Sequence, residues 1–168
     1  MPMSDHMKSL RAKVGNDLLL VPTVAVYAFD TSGRVLLVRD AQSGQWTSPG
    51  GMIDPGESPA TAAVREVWEE ARMHVELTHI VGVFGGPSFS VVYENGDQLE
   101  FVTTVFSARP LRGEATPDGV ETTEARWFTR AEVEILDRRA HLHKTLGAAY
   151  AFKGHALFDA ATWQPSSR

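Results

Sequence analysis

A glycine-rich loop that runs straight into a short acidic helix is the feature that most limits what this chain can fold into. Residues 50–73 read GGMIDPGESPATAAVREVWEEARM. Ser58 is a favourable N-cap, and Pro59 fits the first helical position because an N–H there would lack an intrahelical partner in any case. The stretch therefore predicts a loop followed by a helix that begins at Pro59.

This helix combines an apolar stripe with three glutamates. The apolar residues that recur at the spacing of one helix face are Val64, Val67, Trp68 and Ala71. The same period places Glu66, Glu69 and Glu70 on the opposite, outer face, where each like-charged pair one turn apart is unfavourable by roughly 0.2–0.5 kcal/mol. Two interpretations follow from the charges alone: a solvated acidic surface, or a site for a hard cation such as Mg²⁺, which prefers oxygen ligands.

The order of residues in this stretch resembles the signature of the Nudix hydrolase family. That signature is Gly, five residues, Glu, seven residues, Arg-Glu, an aliphatic residue, any residue, Glu-Glu, any residue, Gly and an aliphatic residue. The matching positions here are Gly51, Glu57, Arg65, Glu66, Val67, Glu69, Glu70 and Met73. Arg72 stands where the family has glycine, so we expect either a left-handed helix end that costs about 1 kcal/mol or a helix that runs on by part of a turn.

The resemblance implies a fold, an activity and a set of site residues. The implied activity is hydrolysis of the pyrophosphate bond in a nucleoside diphosphate linked to another group, with Mg²⁺ as the metal and Mn²⁺ as the alternative. The implied metal ligands are the Gly50 carbonyl, Glu66, Glu69 and Glu70. By the same resemblance Glu66 doubles as the candidate base, Arg65 orients it, and Glu57 supports the site through water or a salt bridge.

A further carboxylate from outside the signature often assists such enzymes as a ligand or base. The candidates are Glu121, Glu124 and Glu100. We favour Glu121, because a loop residue can swing onto a substrate-bound metal. The alternative for Glu124 is a surface ion pair with Arg126 or Arg130, and the alternative for Glu100 is a solvent-facing strand position.

The substrate is the least determined part of the interpretation. Trp46, Phe84 and Tyr93 are candidate contacts for a nucleotide base, although aromatic residues next to turns and on strands often anchor the core instead. An ADP-ribose-like compound or a nucleotide sugar is the favoured substrate, and a nucleoside triphosphate, including oxidised ones, is the second candidate. The rival class is a nucleotide-binding module that keeps the Nudix fold without catalysis.

Composition limits the remaining possibilities. The chain has 168 residues, 43% of them hydrophobic, which is enough for one core and too short for two ordinary domains. It has no cysteine, so disulfides and thiolate chemistry are excluded. A net charge of −5 argues against a nucleic acid polymer as partner. No apolar run is long enough to span a membrane, so we expect no membrane as partner either. We expect a cytoplasmic protein that binds a nucleotide-derived small molecule, and the sequence leaves a homodimer open.

The order of local patterns predicts an α/β protein. Residues 1–18 are expected to form an arm or short helix, residues 19–155 the hydrolase domain, and residues 156–168 a tail. Strands at 21–29 and 35–38 are predicted to form one hairpin, Asn95-Gly96 the turn of a second, and residues 130–152 a mostly helical segment. Strands interleaved with helices predict an α/β/α sandwich with a mixed sheet, which is also the fold that the resemblance implies.

Overall fold

A computed structural model describes residues 4–163, with four α-helices and seven strands. The helices are α1 (Asp5–Val14), α2 (Pro59–Ala71), α3 (Arg130–Glu134) and α4 (Ala140–Tyr150). The strands are β1 (Leu19–Ala28), β2 (Val35–Asp40), β3 (Trp46–Thr47), β4 (His74–Phe84), β5 (Ser90–Val92), β6 (Gln98–Arg112) and β7 (Thr122–Phe128). Residues 1–3 of the predicted arm and 164–168 of the predicted tail lie outside the described residues. No helix between residues 4 and 163 has both the length and the apolar character that a membrane span needs.

The larger sheet is mixed. The long strand β6 pairs in parallel with β1, with Leu19 opposite Leu99 and Ala28 opposite Ala108. On its other side β6 pairs antiparallel with β4 and, nearer its start, with β5. The smaller sheet has the order β3-β2-β7, and its strands are antiparallel.

Two hairpins were expected and one is present. The Asn95-Gly96 hairpin is confirmed, since β5 and β6 pair antiparallel on either side of it. The predicted hairpin of β1 and β2 is wrong, because the two strands leave the turn at residues 30–33 for different sheets and share only an isolated bridge at Phe29 and Val35. The Asp30 carboxylate accepts the N–H groups of Ser32 and Arg34, so the turn itself is local, while the strand partners are distant in sequence.

The helices cover the sheets from opposite sides. Three alanines and one valine of α2 belong to one buried cluster together with Val24, Val26 and Phe106 of the larger sheet and Leu36 and Val38 of the smaller. The second cluster contains Leu142 and Leu146 of α4 together with residues of both sheets, of α3 and of the turn before β5; they are Tyr27, Val35, Leu37, Trp46, Val81, Phe84, Phe89, Val105, Phe128 and Val133. Helices on both faces of the sheets confirm the predicted α/β/α sandwich with a mixed sheet.

The C-terminal part of the chain departs from the predicted pattern in two places. The helical segment is divided into α3 and α4, with Trp46 N–H donating to the Asp137 carbonyl in the gap at 2.9 Å. Beyond α4, Leu157 donates to the carbonyl of Val81 at 2.8 Å and accepts from the N–H of Val83 at 3.1 Å. The start of the predicted tail therefore adds hydrogen bonds to the edge of β4.

Helix α2 begins as predicted but buries a different face. The Ser58 side chain accepts the Thr61 N–H at 3.2 Å, as expected of an N-cap. The buried residues are Ala62, Ala63, Glu66, Val67, Glu70 and Ala71. Val64 is 36% exposed and Trp68 is 42% exposed, so the predicted apolar stripe is only half right. Small alanines let the helix backbone approach the sheets closely, and two glutamates turn inward with them.

The end of α2 resolves the two alternatives for Arg72. The helix stops at Ala71, and Arg72 adopts the left-handed conformation with φ of 55° and its N–H bonded to the Trp68 carbonyl at 3.0 Å. Arg72 is the single non-glycine residue with positive φ among residues 4–163. Its guanidinium carbon lies 5.8 Å from the centroid of the Trp68 ring, a cation–π contact that offsets part of the backbone strain.

A pair of substitutions isolates this strain. Arg72→Gly and Arg72→Ala both remove the contact with Trp68, but only alanine keeps a Cβ in the left-handed conformation. We expect the free energy of unfolding of Arg72→Gly to exceed that of Arg72→Ala by about 1 kcal/mol. Urea denaturation of the two variants measures the difference, and equal midpoints would show that Arg72 is not held left-handed.

Candidate active site

The glycine-rich loop lies against β1. Its backbone joins the strand through Val26 N–H to the Pro49 carbonyl and Val24 N–H to the Gly51 carbonyl, both at 2.9 Å. A Cβ at position 50 would lie 2.2 Å from the Val24 carbonyl oxygen, so only glycine fits this approach. The N–H of Gly50 consequently points away from the strand and donates to Glu70 Oε2 at 3.1 Å.

Two glutamates of α2 are buried where the helix faces this loop. Glu66 is 5% exposed and Glu70 is 7% exposed, which corrects the prediction that all three glutamates lie on the outer face. Burial raises the pKa of Glu66 to about 7, although the guanidinium of Arg65 opposes the shift. Burial also raises the pKa of Glu70 well above its usual value, and the charge of Glu66 adds to that effect. The carboxylate of Glu69 is half exposed.

The guanidinium of Arg65 connects the helix to the loop. It donates two parallel hydrogen bonds to Glu57, at 2.8 and 2.9 Å. Its Nη1 donates to Glu66 Oε1 at 2.9 Å and to Glu69 Oε2 at 2.8 Å. Its Nη2 also reaches the Met52 carbonyl at 3.1 Å. One cation thus orients three carboxylates, and among residues 4–163 Glu70 has no ion-pair partner.

Glu57 lies in the loop rather than on the helix, and its surroundings differ from those of Glu66. The bidentate hydrogen bond from Arg65 is the main reason why its pKa lies below the usual value. Its Oε2 also accepts the Asp54 N–H at 3.3 Å, which closes the turn before the helix. The predicted supporting role for Glu57 therefore has a direct salt bridge as its physical basis.

Glu121 joins the cluster from the start of β7. Its charge contributes to the raised pKa of both Glu66 and Glu70, and burial followed by the charges of Asp118 and Glu69 raises its own. The neighbouring Thr122 side chain donates to the Glu70 carbonyl at 2.8 Å, so this segment touches α2 directly. Sequence reasoning missed Asp118 and Thr122, although the turn signal Pro-Asp-Gly at residues 117–119 marks the place.

The other two candidate carboxylates lie elsewhere. Glu124 accepts from Arg39 at 2.9 Å and is 3.8 Å from Arg126, as in the surface ion pair considered for it. Glu100 faces β5 on the larger sheet and accepts from the Ser90 hydroxyl at 3.2 Å. Neither makes a contact with the three glutamates of α2 among the hydrogen bonds and ion pairs of residues 4–163.

The aromatic candidates are placed mainly in the core. Trp46 is 7% exposed and meets Phe128 edge-on with ring centroids 4.6 Å apart. Phe84 is 5% exposed and stacks with Phe89. Both side chains belong to the core cluster that also contains Leu142 and Leu146 of α4, so they offer little surface to a substrate. Tyr93 is half-buried beside the second hairpin and keeps part of its ring accessible.

The charges of this cluster suit a cation. Arg65 compensates one of the negative charges on Glu57, Glu66 and Glu69, while Glu70 and Glu121 add two more. Burying carboxylates without matching positive charge is unfavourable, and oxygen donors are the ligands that Mg²⁺ and Mn²⁺ take. Within residues 4–163, no three acidic or histidine side chains stand ready in metal-binding geometry. Glu66 and Glu69 would have to release Arg65 in part to turn toward an ion.

The family model described as the NUDIX domain matches residues 19–149 of this chain. The chain belongs to the Nudix family. The match covers both sheets, α2 and most of α4, and it contains every residue of the acidic cluster. Nudix hydrolases generally use divalent metal ions, which agrees with the excess of negative charge around Arg65.

Individual relatives agree with this placement. A "MutT-like protein" of Streptomyces ambofaciens is 32% identical over 111 residues, which are 66% of this chain and 65% of that protein. A "Putative 8-oxo-dGTP diphosphatase" of Bacillus subtilis (strain 168) is 34% identical over 111 residues, which are 66% of this chain and 68% of that protein. This Nudix chain thus spans about two thirds of the length of each.

A solved structure shows the same fold. The NUDIX domain of Shewanella oneidensis NrtR, complexed with ADP ribose, superposes with a TM-score of 0.65 at 19% identity and covers 89% of this chain and 98% of that one. At such low identity the likeness concerns the arrangement of sheets and helices only. It supports the Nudix-type sandwich for this chain.

The geometry around Arg65 predicts that lysine cannot replace it. An ammonium group lacks the fork that binds Glu57 twice while reaching Glu66 and Glu69. We expect Arg65→Lys to lower the free energy of unfolding by about 1–3 kcal/mol, since hydrogen bonds to charged groups are lost in a partly buried place. The matched control is Arg109→Lys, an exposed pair with Glu76, which should change it by less than about 1 kcal/mol. Chemical denaturation of both variants decides, and equal effects would mean that the Arg65 network is only a surface feature.

Proposed function

We propose that this protein hydrolyses the pyrophosphate bond of a nucleoside diphosphate linked to another group, with Mg²⁺ as its metal. The observation that carries the proposal is the pair Glu66 and Glu70, two buried carboxylates of α2. The side chain of Glu70 accepts the Gly50 N–H, and the side chain of Glu66 accepts a hydrogen bond from Arg65. Such an arrangement is unfavourable for the fold alone and useful for holding a cation.

Each residue of the cluster has a proposed task. The Gly50 carbonyl, Glu66, Glu69 and Glu70 would hold the metal, with Glu121 as a further ligand or base. Arg65 orients Glu66, and Glu57 keeps Arg65 in place through its bidentate hydrogen bond. When bound, the metal would neutralise phosphate charge and lower the pKa of the attacking water.

Glu66 has the properties of a general base. Burial raises its pKa to about 7 without metal, and a bound cation would lower the pKa toward the ionised form that accepts a proton. The hydrogen bond from Arg65 occupies Oε1, so Glu66 would both hold the metal and accept a proton from water once that bond is released in part.

Two substrate classes remain in order of preference. An ADP-ribose-like compound or a nucleotide sugar is supported by the ADP ribose bound to the structurally similar NrtR domain. A nucleoside triphosphate, including oxidised ones, is supported by the name of the Bacillus subtilis relative. Tyr93 is the aromatic candidate that keeps exposed surface to contact the nucleotide base. Trp46 and Phe84 are buried and would support the substrate site from the core. A cytoplasmic location goes with such substrates, and a homodimer stays open.

A nucleotide panel tests this function. The protein is incubated with ADP-ribose, nucleotide sugars and nucleoside triphosphates, with Mg²⁺ and with chelator, and the products are identified. We expect metal-dependent release of a nucleoside monophosphate and a phosphorylated partner. Tight nucleotide binding without turnover would instead identify a non-catalytic Nudix module.

The acidic cluster should control turnover. Glu69→Gln and Glu70→Gln are each expected to lower kcat by at least roughly 100-fold, because a lost ligand removes charge stabilisation in the transition state. Glu124→Gln is the control, since Glu124 pairs with Arg39 on the surface and should leave kcat within about twofold. Near-normal turnover by either α2 variant at saturating Mg²⁺ would refute the assigned ligands.

Removing the metal should reverse which protein is the more stable, the parent or Glu70→Gln. In chelator, Glu70→Gln is expected to unfold with a free energy about 1 kcal/mol above the parent, because it buries no charge and still accepts the Gly50 N–H. With Mg²⁺ present the parent should be the more stable of the two. Binding stabilises it by RT ln(1 + [L]/Kd), where [L] is the Mg²⁺ concentration and Kd its dissociation constant, and the difference is this amount minus the gain of Glu70→Gln in chelator. Glu69→Gln, at an exposed position, should change little in chelator. Thermal melts of the three proteins under both conditions provide the comparison; a less stable Glu70→Gln in chelator would show that Glu70 supports the fold.

A further inference from the structure

The segment that carries Glu121 is held by an internal set of hydrogen bonds. Asp118 Oδ1 accepts the backbone N–H groups of Val120 at 3.0 Å, Glu121 at 3.0 Å and Thr122 at 2.8 Å. The N–H of Asp118 donates in turn to the Thr122 hydroxyl at 3.2 Å, and the Gly119 N–H donates to the Thr122 carbonyl at 3.0 Å. One carboxylate oxygen thus fixes three consecutive amides. We call this set, formed by Asp118 and Thr122, the clasp.

The clasp is attached to the elements on both sides of it. The Thr122 side chain is 2% exposed, and its hydroxyl donates to the Glu70 carbonyl of α2 at 2.8 Å. On the other side the Glu121 carbonyl accepts the N–H of Ala41, which follows β2, at 2.8 Å. The loop before the clasp is joined to the end of α2 as well, through Thr116 N–H and the Ala71 carbonyl at 3.0 Å.

These bonds leave the backbone of Glu121 little freedom. Its N–H and its carbonyl are both engaged, and the next residue is bonded to the residue on α2 that faces Gly50. A segment with this many hydrogen bonds, one of them the buried bond from Thr122 to the Glu70 carbonyl, opens rarely compared with a free loop. The expected swing of Glu121 onto a bound metal is therefore restricted to its side chain.

We propose that Asp118 and Thr122 are positioning residues, which hold the carboxylate of Glu121 beside Glu66 and Glu70. This proposal rests on the proposed function, in which Glu121 assists hydrolysis. Groups that act on the reacting atoms must be held within a fraction of an ångström, and their supports are ordered by hydrogen bonds of this kind. Asp118 does so through its acceptor oxygen and does not itself need to touch substrate.

The conservative variants separate the hydrogen bonds from the charge. Asp118→Asn keeps an oxygen that accepts the same three amides but removes the negative charge near the cluster. Asp118→Ala removes both. In the same way, Thr122→Ser keeps the hydroxyl that bonds to Glu70, and Thr122→Val removes it at nearly equal volume.

Kinetics on the proposed substrate test the role. We expect Asp118→Ala and Thr122→Val to lower kcat at least roughly tenfold with KM changed less than about threefold, and Asp118→Asn and Thr122→Ser to restore most of kcat. Combined with Glu121→Gln, neither Asp118→Ala nor Thr122→Val should lower kcat further by more than about twofold, because each acts through Glu121.

Amide hydrogen exchange tests the clasp without any turnover. In Asp118→Ala the amides of Val120, Glu121 and Thr122 should exchange at least roughly tenfold faster than in the parent, while those of β6 keep their protection. In Asp118→Asn they should stay protected. If the parent hydrolyses no compound of the panel, the proposed function fails, and this measurement still decides whether the clasp holds.

Three results would overturn the proposal. Parent-like kcat in Asp118→Ala would show that Glu121 needs no support. Losses that multiply with that of Glu121→Gln would show that the residues act independently. Equal losses in Asp118→Ala and Asp118→Asn, with exchange unchanged in the latter, would show that the charge of Asp118 acts and the hydrogen bonds do not.

Discussion

The guanidinium of Arg65 is the interaction on which the arrangement of the site depends. It lies on α2, yet its hydrogen bonds reach back to Glu57 and the Met52 carbonyl in the preceding loop. The loop is therefore tied to the helix that follows it, in addition to its bonds with β1. Since the same group also binds Glu66 and Glu69, the position of the loop and the orientation of the acids are set together.

Burial of Glu66 and Glu70 makes this site costly for the fold. Both carboxyl groups have a raised pKa because solvent is excluded, and one backbone N–H is the hydrogen bond that the Glu70 side chain receives within residues 4–163. Ala62 and Ala63 on the same face let α2 pack closely on the sheets, and Gly50 lets the loop lie close against β1. In the proposed function, a cation that binds only the folded protein would offset this loss of stability.

The site is assembled from three parts of the chain that are distant in sequence. The loop is placed by β1, the acids by α2, and Glu121 by the segment between β6 and β7, which bonds to the Glu70 carbonyl. The topology of the sandwich brings these parts to one place, because α2 packs on both sheets. Strand β7 of the smaller sheet contacts α2, and the segment with Glu121 lies directly before this strand. The core on the α4 side contributes packing and contains Trp46 and Phe84.

The sequence by itself determined the features that depend on nearby residues. The caps of α2 follow from Ser58 and Pro59, the second hairpin from Asn95-Gly96, and the acidic cluster from the spacing of a signature that also predicts the sandwich fold. For the caps and the hairpin the physical cause lies within about one turn, so local pattern is sufficient, whereas the acidic cluster followed from resemblance to the family signature.

Only the tertiary structure decided which partners these elements meet. β1 and β2 look like a hairpin but belong to different sheets, because their hydrogen-bond partners lie far away in the chain. Periodicity placed the large apolar residues of α2 inward, whereas the sheets accept the small alanines and draw Glu66 and Glu70 in with them. The proposed support of Glu121 by Asp118 also depends on bonds to α2 and to the residue after β2, which the local turn signal Pro-Asp-Gly does not specify. The hydrophobic pattern of a sequence indicates which side chains favour burial. Close packing in the folded protein decides which of them are buried.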